Sequence, residues 1–322
     1  MDAILAKRPA EERPVAGAYY AQPAPEEIAW LRKHPRFSEA AWRMAETPAE
    51  ALPSGRLATF ILNDRVRTQI GYFILYLYWS AQEDGRTGLT ASQVKSVFTE
   101  MKFASAGRVD ALIAAMRLFG YVRLESDLYD KRVKLIVPTE RHLAAFLQML
   151  RVQLAAMAAV MEEGSVGLEN LERAGFMPAF IRKVCESRFH GFRLVNSVPE
   201  IKSFFNYNAA TPILLYMMIN GRKTASQTIE TAISVSRLSK QFQVSRAHVR
   251  KVLAEAEASG FIVRPVSDSL PTVMLPAWMD TVEKLYAAVF LHFAACIRSA
   301  LEEINSQPGE VLRDASSAPA VR

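Results

Sequence analysis

The side chains best suited to binding chemistry lie between residues 244 and 263, in the sequence VSRAHVRKVLAEAEASGFIV. Ser245 is a residue type that caps helix N-termini. The side chains after it that carry or can carry positive charge are Arg246, His248, Arg250 and Lys251. Arginine on an exposed helix can clamp phosphate or pair with the edge of guanine. We therefore predict that this helix contacts double-stranded DNA, with Ser245 capping it and touching phosphate.

The other face of the same helix is apolar. Val249, Val252 and Leu253 recur at helical spacing, and Gly260 then releases the chain into a β-branched run. The apolar face predicts attachment to a small core, which leaves the basic face exposed to solvent.

The pattern occurs twice in the chain, at an offset close to 140 residues. Three pairs of segments share this offset: MRLFGYVRL (from 116) with AEASGFIVR (from 256), FILYLYW (73) with ILLYMMI (213), and SAGRVDALI (105) with SRAHVRKVL (245). Two weaker pairs extend the match: LIVPTERHL with VMLPAWMDT at an offset near 138, and RFSEAAWRM with GFMPAFIRK at an offset near 139. Five blocks in one order predict a structural duplication.

Each copy predicts the same succession of elements in a mainly α chain. Three helices come first, then a pair of strands around a polar tip, and finally a long helix opened by proline. The helices are predicted at 63–81 and 208–220, 90–102 and 235–242, 105–118 and 245–258, and 138–163 and 276–305, and the strand pairs within 121–137 and 261–275. The chain then divides into a flexible arm (1–25), a first repeat (26–163), linking helices (164–206), a second repeat (207–305) and a disordered tail (306–322).

Segment 233–275 resembles the winged helix-turn-helix of the MarR and GntR types of bacterial transcription regulators. The resemblance lies in Val244-Ser245-Arg246, Val249-Arg250 and Gly260-Phe261, and segment 90–137 matches more loosely. It implies tandem winged helix-turn-helix units, flanked by long helices like the dimerisation helices of MarR-type proteins. One chain holding both copies would be an intramolecular pseudo-dimer, either monomeric or part of a higher homo-oligomer.

The two copies differ in charge. Where the second carries Ala247 and Arg250, the first has Gly107 and Asp110, and an acidic residue facing phosphate repels it. The first copy has a basic strand pair instead, and its predicted DNA contacts are Arg108, Lys131, Arg132 and Lys134. We expect the second copy to read bases and the first to grip the backbone or minor groove.

Composition sets broad limits on function. The chain has 322 residues, a net charge of +6 and a pI near 9.3, which permit a polyanionic partner without requiring one. Cys185 and Cys296 are too far apart in sequence for a zinc motif, and buried spectator thiols are expected. No signal peptide is evident and the most apolar runs are shorter than a bilayer span, so we predict a cytoplasmic protein with no membrane contact.

Nothing in the sequence predicts an enzyme, a cofactor or a metal site. Phosphate-binding glycine loops, nucleophile elbows and paired metal-binding histidines are not found. His292, in the apolar segment VFLHFAAC, is predicted to be a core histidine with a hydrogen-bond partner.

Two other functions remain open. Winged helices also serve as protein-docking modules, as in chromosome-organising complexes, and plasmid replication initiators use paired winged domains. The MarR resemblance further implies a small aromatic effector. Residues that could line its cavity, or simply pack the core, are Tyr72, Tyr76, Tyr78, Trp79, Tyr216 and Met217.

Overall fold

The computed structural model describes residues 18–51, 65–83, 85, 88–204, 207, 209–265 and 271–306. It is mainly helical with two small antiparallel sheets, which confirms the predicted class. The helices are α1 (Pro25–Arg32), α2 (Phe37–Ala51), α3 (Arg65–Glu83), α4 (Ala91–Glu100), α5 (Ala106–Leu118), α6 (Glu140–Ala158), α7 (Glu162–Glu169), α8 (Phe176–Phe189), α9 (Leu194–Ser197), α10 (Ala210–Ile219), α11 (Val235–Phe242), α12 (Arg246–Ala258) and α13 (Pro276–Ser306). The strands are β1 (Leu89–Thr90), β2 (Val122–Ser126), β3 (Lys134–Pro138), β4 (Arg222–Lys223), β5 (Ile229–Thr231), β6 (Ile262–Val263) and β7 (Thr272–Met274).

One order of elements occurs twice: helix, strand, two helices, two strands, long helix. It runs from α3 to α6 and again from α10 to α13, where β4 adds a strand. The sheet orders are β1-β3-β2 and β4-β5-β7-β6. The short strand before the helix pair faces the return strand in both, with Leu89 opposite Ile136 and Ile229 opposite Met274. We call α3–α6 with its sheet the first unit, and α10–α13 with its sheet the second unit.

The third helix of each unit ends in the same way. Gly120 and Gly260 follow α5 and α12 with φ of 73° and 71°, a left-handed conformation that glycine adopts without a Cβ clash. The next residue then turns back, and its N–H donates to a carbonyl five residues earlier: Tyr121 at 2.8 Å and Phe261 at 2.9 Å. This geometry directs each chain from helix into strand at an equivalent point.

The turn between the second and third helices is also repeated. Lys102 and Gln243 occupy it with φ of 54° and 53°, which is uncommon for residues with a side chain. In the second unit the turn is fixed further, because Ser239 Oγ donates to the Val244 carbonyl at 2.6 Å.

The helices outside the sheets connect the two units reciprocally. We take α1 and α2 with the first unit as the first copy. We take α7 and α8, which lie mostly in the segment 164–206 predicted to link the repeats, with the second unit as the second copy. Within each copy, α2 packs on α6 and α8 packs on α13. Across the copies, α1 packs on α13 while α7 packs on α6, and α2 packs on α10 while α8 packs on α3. The first two helices of each copy therefore pack on the long helix of the other copy and on the first helix of that copy's unit.

Two polar contacts show the same reciprocity in detail. Lys223 Nζ of β4 lies 4.0 Å from the ring centre of Trp42 on α2. At the corresponding place, Arg182 Nη2 of α8 lies 2.7 Å from Glu83 Oε1 at the end of α3. The contacts join equivalent elements, although one is a cation–π contact and the other an ion pair.

Helix α13 forms much of the core. It buries Trp278 and Phe290 completely, along with most of its central turns. Its 31 residues are long and apolar enough to cross a membrane. The sequence analysis did not predict this, because it counted only uninterrupted apolar residues. However, 67% of the most apolar 18-residue window of this helix is buried within the protein. That burial is typical of a core helix.

The long helix predicted over 138–163 is wrong at both ends. Pro138 closes β3, and Thr139 caps α6 instead, accepting from the His142 N–H at 3.3 Å. The helix stops at Ala158 because α7 approaches its end closely: a Cβ on Gly164 would lie 2.2 Å from the Ala158 nitrogen. In the second unit Pro276 does open α13, as predicted.

The predicted arm and tail fall largely on residues 1–17 and 307–322, outside the described residues. Within the arm, Tyr19 is part-buried and its hydroxyl donates to Glu186 on α8 at 3.0 Å. Residues 18–24 therefore lead into α1 along the surface of α8.

The left-handed turn makes a stability prediction. Gln243→Gly should raise the free energy of unfolding by about 1 kcal/mol, because glycine removes the cost of the left-handed conformation. Gln241→Gly, at an exposed position inside α11, should lower it by roughly 0.5–1 kcal/mol. Urea denaturation measures both, and a loss of stability in the first variant would contradict the turn geometry.

Candidate nucleic-acid interface

The second unit holds its basic helix as predicted. Ser245 caps α12 by accepting from the His248 N–H at 3.0 Å. Val249, Val252 and Leu253 are buried against Leu238 of α11, so the opposite face of α12 points outward. The apolar side chains thus fix which cations reach the surface.

The predicted contacts on α12 lie on this outward face. Arg246, Arg250 and Lys251 are exposed and His248 is partly exposed. Arg246 Nη2 donates to Ser236 Oγ at 3.2 Å, and Lys251 Nζ lies 5.0 Å from the Tyr207 ring centre. These are weak tethers, which leave the positive charge available to a polyanion.

Two further cations, which the sequence analysis did not single out, extend this surface. Arg237 and Lys240 are exposed on α11, beside the buried Leu238. The helical spacing of Leu238 and Phe242 could have revealed these two cations in the sequence, because it places positions 237 and 240 on the outer side of α11. Residues 235–251 together carry five arginine or lysine side chains and no carboxylate.

We call these five cations the α11–α12 basic surface: Arg237, Lys240, Arg246, Arg250 and Lys251. The matching part of the first unit, residues 91–111, is much closer to neutral. It has three cations and two carboxylates, Glu100 and Asp110. Arg108 is exposed on α5, and Asp110 lies two residues further along the same helix.

Asp110 is neutralised within the first unit. Lys95 Nζ of α4 lies 3.2 Å from Asp110 Oδ1, and both side chains are partly exposed. The pair reduces repulsion of a polyanion, but it also engages a lysine that would otherwise face outward. In the second unit Ser239 and Arg250 stand at the corresponding places.

The other predicted contacts of the first unit lie on the β2–β3 hairpin. Lys131, Arg132 and Lys134 are all exposed. Arg132 Nε lies 3.1 Å from Asp130 Oδ1, and this bonding holds the pKa of the Asp130 carboxyl below its usual value. Lys134 Nζ donates to Ser126 Oγ at 2.7 Å.

The hairpin tip has a defined shape. The buried Asp127 accepts from the backbone N–H groups of Tyr129 and Asp130 at 2.7 and 3.0 Å. As a result, Leu128 and Tyr129 project outward with 81% and 87% exposure. The tip therefore presents apolar surface as well as positive charge.

The corresponding hairpin of the second unit lies partly outside the described residues, since residues 266–270 are not described. Arg264 precedes that segment, and its Nε donates to Glu257 at 2.7 Å. The predicted DNA contacts thus fall into two groups, on α12 in one unit and on α5 and the β2–β3 hairpin in the other.

The residues considered for an effector cavity pack within or against the core. The Tyr72 and Tyr216 rings meet Phe146 and Phe242 edge-on, with centroids 4.7 and 5.6 Å apart. Met217 is completely buried. Tyr76, Tyr78 and Trp79 are partly buried against the same core.

The thiols and the core histidine lie as predicted. Cys185 and Cys296 are buried, and burial raises the pKa of both thiols. His292 is buried with Nε2 3.3 Å from Ser187 Oγ, and burial lowers its pKa to about 3. Within the described part of the chain, no three metal-binding side chains come together.

The Lys95–Asp110 pair makes a prediction for polyanion binding. Asp110→Asn should tighten binding of a random DNA duplex by about 2- to 5-fold at low salt, because it removes a negative charge and releases Lys95. Glu172→Gln makes the same charge change at an exposed ion pair with Arg151 and serves as the control. Fluorescence anisotropy compares the variants, and equal effects would contradict a role for α5.

Three features define the candidate interface: a capped helix, an uninterrupted basic surface on α11 and α12, and a second, weaker basic group on the first unit. Comparison of the chain with protein families, with curated proteins and with solved structures gave no match.

Proposed function

We propose that this protein is a DNA-binding transcription regulator that uses two non-equivalent winged-helix units on one chain. The observation that carries the proposal is the α11–α12 basic surface, with five cations and no carboxylate over residues 235–251. Such a surface on a capped, exposed helix suits the major groove and its flanking phosphates.

Each unit is proposed to be a winged helix. The support is the repeated order of helix, strand, two helices and two strands, with a left-handed turn residue between the paired helices. In this interpretation α5 and α12 are recognition helices, and the β2–β3 hairpin is a wing.

The two units are proposed to form a pseudo-dimer. Reciprocal packing supports this, because α1 and α2 contact α13 and α10 of the second copy while α7 and α8 contact α6 and α3 of the first. Two separate winged-helix subunits would exchange helices in the same way around a twofold axis.

The units are proposed to have different roles. Arg246 and Arg250 of α12 would contact bases and phosphates, with Ser245 and His248 at the helix start. The first unit, with Asp110 paired to Lys95, would hold the DNA backbone through Arg108, Lys131, Arg132 and Lys134.

A second candidate role concerns the first unit alone. The exposed Leu128 and Tyr129 at the hairpin tip are unusual for a DNA-facing surface and favour docking of a protein partner there. Binding to such a partner would survive loss of Arg246 and Arg250, whereas DNA binding would not.

The proposal predicts a salt-dependent affinity for DNA. Binding of a random duplex, measured by fluorescence anisotropy from low to physiological salt, should weaken steeply as counterions are released. Arg246→Ala/Arg250→Ala should weaken binding and make the logarithmic salt slope shallower by up to about 1 per lost phosphate contact.

The matched control removes two arginines elsewhere. Arg151→Ala/Arg173→Ala makes the same change in net charge. Arg173 donates to Asn305, which lies at the C-terminal end of α13, far along that helix from β7. Equal slopes for the two double variants would place the contacts elsewhere. If the protein does not bind at low salt, the proposal is wrong, and the units are docking modules.

A further inference from the structure

Strand β2 lies at an open edge of the sheet in the first unit. The strand order is β1-β3-β2, and no strand among the described residues pairs with the other side of β2. After the buried Val122, its residues Arg123, Leu124, Glu125 and Ser126 are all exposed. An edge strand presents unpaired backbone N–H and C=O groups, to which a strand of another chain can bind.

The hydrogen bonds of the β2–β3 hairpin show which backbone groups face this edge. The Thr139 N–H donates to the Tyr121 carbonyl at 3.0 Å, and the Asp127 N–H donates to the Val133 carbonyl at 3.1 Å. Hydrogen-bonded and non-hydrogen-bonded pairs alternate along an antiparallel ladder, so the odd-numbered residues of β2 bond to β3. The even-numbered residues of β2 therefore direct their N–H and C=O groups away from β3, toward the open edge.

The corresponding edge of the second unit is protected. The strand order there is β4-β5-β7-β6, so β6 is at the edge, and it has two residues where β2 has five. Pro265, which has no N–H to donate, stands where the offset of 140 residues places Glu125. Short edge strands and proline both prevent edge-to-edge pairing. Strand β2 has neither of these protections.

The sequence of β2, VRLES, is complementary to itself when two chains run antiparallel. With Leu124 opposite Leu124 of a second chain, Arg123 of each chain lies opposite Glu125 of the other. The outward N–H and C=O groups of Val122, Leu124 and Ser126 then all have partners across the twofold axis. The opposite charges occupy non-hydrogen-bonded positions, where side chains across an antiparallel pair lie closest together.

The charges also disfavour the neighbouring registers. An axis through Arg123 would place two arginines opposite each other, and an axis through Glu125 would place two carboxylates opposite each other. Like charges directly opposite are destabilising in a sheet. Within one chain, Arg123 Nε lies 2.6 Å from Glu125 Oε1. The register centred on Leu124 joins two such pairs into one group of four alternating charges.

Apolar side chains on both sides of β2 fit the same register. Leu128 and Tyr129, at the hairpin tip, are 81% and 87% exposed, and Leu118, at the end of α5, is 81% exposed. With Leu124 at the axis, the hairpin tip of one chain extends past the start of β2 in the other chain, toward the end of its α5. Apolar groups that each separate chain exposes to water would there meet one another.

We propose that this protein forms a twofold homodimer in which β2 pairs antiparallel with β2 of a second chain. This proposal names a partner for the docking role of the hairpin considered above, and it does not require DNA binding. Association is measured without DNA, so failure of this proposal and failure of the proposed function are seen in separate experiments.

The test is sedimentation velocity of the full-length protein from about 1 to 100 μM. Wild type should approach twice the 36.0 kDa mass of the single chain as concentration rises. Arg123→Glu and Glu125→Arg should each weaken self-association about 10-fold or more, because two pairs of like charges replace two pairs of opposite charges. Arg222→Glu reverses the charge of an exposed arginine paired with Glu230 in the second unit, and it should leave association unchanged.

Mixing the two variants tests the register itself. An equimolar mixture of Arg123→Glu and Glu125→Arg should associate as wild type does, because the carboxylates of one chain then face the guanidinium groups of the other. Circular dichroism should show the same helix content in every variant, since all the substituted positions are exposed. The proposal is overturned if wild type stays monomeric, if Arg123→Glu dimerises like wild type, or if the mixture does not associate.

Discussion

The structure depends on the burial of one long helix. Helix α13 belongs to the second unit, yet it packs against α1 and α2 from the first copy as well as α7 and α8 from the second. Its buried aromatic residues, among them Trp278 and Phe290, make separation of these helices unfavourable by several kcal/mol each. The two units are therefore held in one body, and the position of each unit depends on helices of the other copy.

Polar contacts refine this arrangement. Arg32 of α1 lies 2.6 Å from Asp280 on α13, and Arg298 bonds Glu163 of α7. Such partly exposed pairs add little stability, but they favour one register of the helices over others.

The duplication also explains why the units need not be alike. A homodimer must present the same helix twice, whereas one chain can place Arg250 in one unit and Asp110 in the other. The pairing of Asp110 with Lys95 makes the first unit nearly neutral on its α4–α5 face, while the second keeps an uninterrupted basic surface. DNA bound by such a protein would meet two different surfaces.

Much of this arrangement was predictable from local sequence signals. Capping serine, helical apolar spacing and a helix-ending glycine predicted α12 to within one residue, and the internal repeat predicted the matching helix α5. The failures came from tertiary contacts. Pro138 belongs to β3 because it pairs with Val122 of β2, and α6 stops where Gly164 packs on Ala158. The Lys95–Asp110 pair joins two helices, so the spacing of residues within either helix could not reveal it.

Footprinting tests the central claim, two non-equivalent units on one chain, most directly. A duplex selected for tight binding would be cleaved by hydroxyl radicals with and without the protein. The proposed pseudo-dimer predicts two unequal protected segments on a non-palindromic site, with Arg246→Ala/Arg250→Ala removing protection from one of them. Equal protection of two inverted half-sites would contradict it.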